Sequence, residues 1–225
     1  MVATLRGNHV EGIKQIERAI DGFVALGDVH GEGRARSKAT ILFRRMGDFQ
    51  RTVEEANRAL SCFAQYPDPG YAAMVYLEVG QMEAERGQID QALEHYHTGL
   101  SLVAAPVAGE NEVSASARAF ISDVMANCYA VKGQWAKVEQ LRRSAIASLE
   151  AIDEPHFDRD LIISYANLGR DYIYTHRPGD AQQALAKAES VIKAMRRRGD
   201  FDPECQASFD SACAKLDEYQ LGRLR

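Results

Sequence analysis

The sequence predicts an all-α fold, a right-handed superhelix (solenoid) of antiparallel helix hairpins spanning residues 1–225 as one domain. Three observations carry that expectation. Strand signals are nearly absent, because β-branched alternation never persists and Ala, Leu, Glu, Gln and Arg dominate. A glycine followed by a capping position recurs at Gly7-Asn8-His9, Gly47-Asp48-Phe49, Gly87-Gln88-Ile89, Gly133-Gln134-Trp135 and Gly179-Asp180-Ala181, with spacings of 40, 40, 46 and 46. Small residues also recur at fixed distances from these glycines, which marks places where two helix backbones approach closely.

The elements follow in order from these signals. Glycine suits the left-handed position that ends a helix, and the polar residue after it caps the next one. Residues 2–6 read as the tail of a helix whose beginning is missing, and 8–25 as its partner after Gly7. Gly27-Asp28 with Gly31 and Gly33 forms a connector, and helices at 32–46 and 48–64 flank Gly47. Pro67-Asp68-Pro69-Gly70 breaks the chain before helices at 69–86 and 88–104, and Pro106 to Gly109 breaks it before 113–132 and 134–152. Asp153 to Pro155 precedes helices at 157–175 and 179–197, and Gly199-Asp200 with Pro203 precedes a capping helix at 202–221. The total is about five hairpins, the first incomplete.

The offsets give the packing. Five residues after each glycine stand Gly12, Thr52, Ala92, Val138 and Ala184; twelve after stand Ala19, Ala59, Gly99, Ala145 and Val191. Nine after stand Ile16, Ala56, Tyr96, Arg142 and Ala188, where Arg142 is the misfit. Seven before come Thr40, Gly80 and Ala126, while Gly169 lies ten before Gly179. A hairpin repeated at this period cannot bury its apolar face alone and must stack on its neighbours.

YLEVGQMEAERGQIDQALEHYHTGL (76–100), MANCYAVKGQW (125–135) and ANLGRDY (166–172) resemble the tetratricopeptide repeat (TPR) family. Gly80, Gly87, Ala92, Tyr96 and Gly99 stand where that family places its small, turn and aromatic residues. The spacing exceeds the family's usual period of about 34. It is closer to the long-helix variety in the sensor arms of maltose-activator-type bacterial regulators and in kinesin light chains. The resemblance implies a non-catalytic scaffold that binds a protein or peptide segment. The alternative it implies is the ligand- or peptide-sensing arm of a bacterial transcriptional or signalling regulator.

In such repeats the first helix of each hairpin lines the binding surface. The stripe beside the small contact positions then comprises Ser37, Arg44, Arg45, Gln81, Glu85, Asp123, Asn127, Asn167, Arg170 and Tyr174. Amides there can bond a peptide backbone, and arginines can pair with its carboxylates. The chaperone-gripping members of the family carry lysines three residues before the small position. Here those residues are Ser37, Leu77, Asp123 and Ala166, so that clamp is not transferred.

Other chemistry is excluded or discounted on residue type and spacing. A net charge of −5 provides no general attraction to nucleic acid or anionic membranes, and neither is expected as a partner. No apolar run approaches the roughly 18 residues of a membrane span, and a cytoplasmic protein is expected. Cys62, Cys128, Cys205 and Cys213 form no CxxC pair and read as reduced thiols. His95 and His97 point to different sides of one helix, the His156, Asp158, Asp160 group reads as an acidic helix start, and no metal or cofactor is expected. GDVHGEGR (27–34) lacks the end of a phosphate loop, and no serine or cysteine has a nucleophile's context, so no catalysis is expected. Leu216, Tyr219, Leu221 and Leu224 near the end of the chain offer a route to a homodimer through terminal helices.

Overall fold

The computed structural model describes residues 2–103, 112–152, 155–201 and 203–222, with the side chains of 2–10 and 204 left aside. Ten α-helices account for nearly all of them: α1 Val2–Leu26, α2 Val29–Arg45, α3 Phe49–Gln65, α4 Pro69–Glu85 and α5 Ile89–Leu102, then α6 Glu112–Val131, α7 Trp135–Ile152, α8 Asp158–Tyr174, α9 Pro178–Arg198 and α10 Pro203–Gln220. A single 3-10 turn, Pro155–Phe157, precedes α8. No strand occurs among the described residues. The chain divides into two compact units, Met1–Ile121 and Ser122–Arg225, with the division falling inside α6.

Six turns share one hydrogen-bonded motif, at Gly27, Gly47, Gly87, Gly133, His176 and Gly199, and four of these join the two helices of an expected hairpin. At Gly47 the backbone N–H donates to the Arg44 carbonyl and the next N–H, of Asp48, donates to Phe43. Gly87 with Gln88, and Gly133 with Gln134, repeat both bonds one hairpin on. The three glycines have φ of 73°, 78° and 67°, the left-handed region that side chains with a Cβ disfavour.

The fourth copy corrects the expected register. His176, not Gly179, occupies the left-handed position, with φ 57°, and His176 and Arg177 donate to Ile173 and Tyr172 in the same pattern. Pro178 then starts α9, where its missing N–H costs nothing, and Gly179 lies inside the first turn. Moving the mark to 176 brings Gly169 to seven residues before it, as in the other copies. It also replaces Ala184, Ala188 and Val191 by Ala181, Leu185 and Ala188 at the five, nine and twelve positions. Ala181 and Ala188 are fully buried.

Two expectations at the N-terminal side also change. Gly7 is no turn: α1 runs unbroken from Val2 to Leu26, so it is one long helix rather than the end of one and the start of another. The glycine-rich stretch after Gly27 is the start of α2 and not a loop. Asp28 caps it by accepting from the Gly31 N–H at 2.8 Å. Gly33 lies where a Cβ would meet Cys62 and Phe63 of α3 at 2.9 Å, so the residue serves close helix packing.

In the first unit, Ala56, Ala59 and Phe63 of α3 pack with Ala72 and Val75 of α4, while Ile20 of α1 packs with Ala35, Ala39 and Phe43 of α2. In the second, one continuous core joins Ile162, Tyr165 and Leu168 of α8 to Leu185 and Ile192 of α9 and to Cys205, Ala212 and Leu216 of α10. The four cysteines are free thiols.

The tightest approach is at Gly80, where a Cβ would lie 2.4 Å from Tyr96 Cε1. Tyr96 is fully buried and its ring cannot retreat. Gly80→Ala is therefore expected to lower stability by about 2 kcal/mol despite alanine's better helix propensity. Gly133→Ala, in open space but at positive φ, should cost about 1 kcal/mol. Urea denaturation followed by circular dichroism gives both values; the two glycines would lose their distinct roles if the order were reversed.

Candidate functional site

The position nine residues past each turn is a slot between helices. It holds Ala56 in α3, Tyr96 in α5, Arg142 in α7 and Leu185 in α9. A guanidinium in an apolar slot must bring its partners with it, because a buried unpaired charge is costly. Arg142, whose side chain is 3% exposed, does so with every nitrogen. Nε donates to Asp171 Oδ2 of α8 at 2.9 Å, and Nη1 donates to both the carbonyl and the carboxylate of Asp123 in α6, at 3.0 and 2.5 Å. Nη2 donates to Asn127 Oδ1 at 2.5 Å. Asn167 Nδ2 reaches the other Asp123 oxygen at 3.3 Å, and Arg170 donates to Asn167 Oδ1.

The electrostatics follow from this geometry. Burial opposes the Arg142 charge, but Asp123 and Asp171 outweigh it and hold the guanidinium above its ordinary value. Burial pushes the Asp171 carboxyl up, with Arg142 pulling against that shift. Asp160, at the start of α8, is also raised, chiefly by burial, with Asp123 adding repulsion and Arg159 and His156 opposing it.

This network uses up part of the expected stripe. Asp123, Asn127, Asn167 and Arg170 are brought together, but Asp123 faces Arg142, and Asn167 is buried at 6% exposure. Ser37 is likewise buried, at 4%, and its hydroxyl is spent on the Arg34 carbonyl, because α2 is rotated to pack that face inward. Arg44 lies between Glu78 and Glu85, donating to them at 2.6 and 2.5 Å, so Arg44 and Glu85 satisfy each other. Gln81 is half-buried, and Arg45 is exposed at the end of α2. Asn127 and Tyr174 remain exposed; Arg170 is partly so.

Tyr174 is 53% exposed and stands in a small aromatic and cationic group. Trp135 stacks on it, with ring centroids 6.0 Å apart and planes at 22°. From α10 the Lys215 ammonium lies 4.9 Å from its centroid and donates to its hydroxyl at 2.7 Å. Trp135, Lys215 and Glu78 all lie outside the stripe expected from the sequence. The misfit of Arg142 in an otherwise small or apolar series was the one available signal for the network.

Several solved structures share this arrangement of helices. BtubC from P. vanneervenii is 17% identical, with 94% of this chain and 92% of that one covered at a TM-score of 0.67. The apo form of RapI is 15% identical over 98% of this chain and 81% of that one, also at 0.67. A Podosopora anserina protein described as a putative kinesin light chain with nearly identical TPR-like repeats is 15% identical, covering 86% and 91% at 0.56. The fold is a TPR-like helical-repeat solenoid. No family model matches the sequence, and no curated protein matches it significantly.

Within a TPR-like hairpin the first helix carries the stripe and the second supplies the slot residue. In the second unit, α7, α8 and α9 also enclose a cleft of about 310 Å³ on another side, floored by Ile146, Leu168 and Ala184. Its two tyrosines are committed: Tyr165 donates to Glu150 at 2.6 Å, while Tyr172 donates to Glu139 at 2.9 Å and accepts from Arg143 at 2.8 Å. Among the described residues no group of three or more His, Cys, Asp or Glu side chains could hold a metal ion. No helix among them is long and apolar enough to cross a membrane.

Removing Arg142 leaves two carboxylates facing each other. Arg142→Ala is expected to destabilise the protein by about 3 kcal/mol. Arg142→Ala combined with Asp123→Asn and Asp171→Asn should recover part of that loss; equal instability of the two variants would mean that packing, not charge, is the cause. Asp160 gives a pH test. Its folded-state value is raised, so its contribution is most favourable at low pH and declines as pH rises through that value. Asp160→Asn should raise the melting temperature at neutral pH, and the gain should shrink as pH falls into the ordinary carboxylate range.

Proposed function

We propose that this chain is a non-catalytic scaffold that captures a protein or peptide segment on the exposed side of its first helices, with Asn127, Arg170 and Tyr174 as the contact residues of the second unit. The observation that carries this reading is the half-exposed Tyr174 ring held in place by Trp135, one helical turn from Arg170. A rigid, partly exposed aromatic beside amide and guanidinium donors is the kind of surface on which a segment can anchor at little entropic cost. The Arg142 network supports it from beneath, because it holds Asn127 and Asn167 in single orientations. Rigid polar groups lose less freedom on binding.

The sensing-arm alternative, in which a small ligand is enclosed by the fold, calls for a closed aromatic pocket around Tyr174. The exposure of that ring favours the open scaffold. Arg44, Glu85 and Ser37 contribute to the fold of the first unit rather than to capture in this reading, and Arg45 stands exposed at the end of α2.

Peptides selected from a random display library against the full chain provide the test. Arg170→Ala, Tyr174→Ala and Asn127→Ala should each weaken the selected peptides by about 3- to 30-fold, a loss of roughly 1–2 kcal/mol per contact. Helicity should be unchanged, with a small loss of melting temperature for Asn127→Ala, which gives up an acceptor of Arg142. Selected peptides that bind all three variants as well as the parent would place capture on another face.

A further inference from the structure

The cleft that α7, α8 and α9 enclose has a counterpart in the first unit, enclosed by α1, α2 and α3. Both are lined from equivalent places in the repeat. Four, seven, eight and eleven residues past the left-handed turn residue stand Arg51, Glu54, Glu55 and Arg58 in α3, and Asp180, Gln183, Ala184 and Lys187 in α9. The chemistry at these places differs. In the first unit the Glu55 carboxylate accepts from Arg36 at 2.7 Å and from Arg58 at 2.9 Å, and the cleft is about 170 Å³. In the second unit the eighth place holds Ala184, whose side chain ends at a methyl, and the cleft is about 310 Å³.

The same exchange leaves a cation without its counter-ion. Arg58 meets Glu55 one turn back along its own helix. Lys187 has Gln183 and Ala184 one turn back and Ser190 and Val191 one turn on, so no acid on α9 faces it. Among the described residues it forms no ion pair. The two carboxylates that line this cleft are engaged by other groups, Asp180 by Arg177 and Glu150 by Tyr165, each at 2.6 Å.

We infer that this cleft binds a small aliphatic carboxylate, whose acid group stands to Lys187 as Glu55 stands to Arg58. Its chain lies on the aliphatic floor of Ile146, Leu168 and Ala184, where each methylene removed from water contributes to binding. The hydroxyls of Tyr165 and Tyr172 are already bonded, so the walls make no further polar demand on the chain. At roughly 30 Å³ per non-hydrogen atom, a water molecule's share of its liquid, the cleft takes about ten such atoms. Octanoate is an acid of that size. The site uses none of the residues assigned to segment capture and does not depend on that reading.

The test titrates the full chain by calorimetry with octanoate, octanol and octylammonium, three probes with one chain and different heads. Octanoate should bind about fivefold or more tightly than either of the others, as expected for one partly exposed charge pair. Lys187→Gln, on the exposed rim, should remove that preference and leave the melting temperature unchanged. Ala184→Glu builds into α9 the pair that Glu55 and Arg58 make in α3, and should weaken octanoate about tenfold or more. In methyl-labelled protein the Ile146 signals, assigned through Ile146→Val, should shift on addition of octanoate. Equal binding of the three probes overturns the proposal, and so does tighter binding of octylammonium, since Glu150 would then govern the site. An octanoate preference that survives Lys187→Gln, or Ile146 signals that stay still, places the acid elsewhere and overturns it. No binding of octanoate up to about 10 mM overturns it as well. None of these outcomes bears on the peptides selected against the first helices.

Discussion

The slot nine residues past each turn governs how two helices of a hairpin meet, and much of the rest depends on what fills it. Where the first helix offers Gly80, the slot admits Tyr96, whose ring lies against the bare backbone at a distance no Cβ would allow. Where it offers Gly169, Leu185 fills the space, with its side chain 3.1 Å from the point a Cβ would occupy. Helix pairs at such close approach gain dispersion contacts along their length and leave little freedom in their crossing angle. The turn motif sets the phase of this pairing. It places the small residue seven before the left-handed position and the filler nine after it, so that the two meet.

In α7 the same slot holds a guanidinium, and the consequence is chemical. Burial forces Arg142 to collect oxygen acceptors from the helices on either side, and Asp123, Asn127 and Asp171 supply them. A buried ion network of this kind adds little net stability over apolar packing, but breaking one member is costly and its geometry is specific. It therefore acts on the proposed binding surface indirectly. Residues that a partner could have used are turned inward, and those left outside, Arg170 and Tyr174 among them, are held in defined positions by Asn167 and Trp135. The division between structural and available polar residues in the second unit is a result of one substitution in the repeat.

Much of the fold was legible in the sequence because local rules and tertiary packing agree. Breakers such as Pro69 and Pro203 begin helices where an N-terminal proline belongs, and Gly47, Gly87 and Gly133 end them where a left-handed residue is needed. The disagreements have identifiable causes. Gly7 and Gly179 look like turns by composition yet lie inside helices, since glycine permits a turn without compelling one. His176 takes the left-handed conformation because the hydrogen bonds of the motif and the start fixed by Pro178 outweigh the preference against it. Gly31 and Gly33 read as a connector but lie in α2, where Gly31 packs beside Phe23 of α1 and Gly33 against Cys62 and Phe63 of α3.

The sequence by itself determined the helical periodicity, the places where helices end and the small residues at which they touch, because each depends on a few neighbouring residues along the chain. It also singled out Arg142 as foreign to its position. Only the tertiary structure decided which polar side chains of the stripe are spent on each other. Arg44 with Glu78, Arg142 with Asp171 and Lys215 with Tyr174 are separated by 34, 29 and 41 residues, and nothing in local pattern pairs them. Ion pairs are satisfied by proximity in space, and that proximity exists only after the hairpins have stacked.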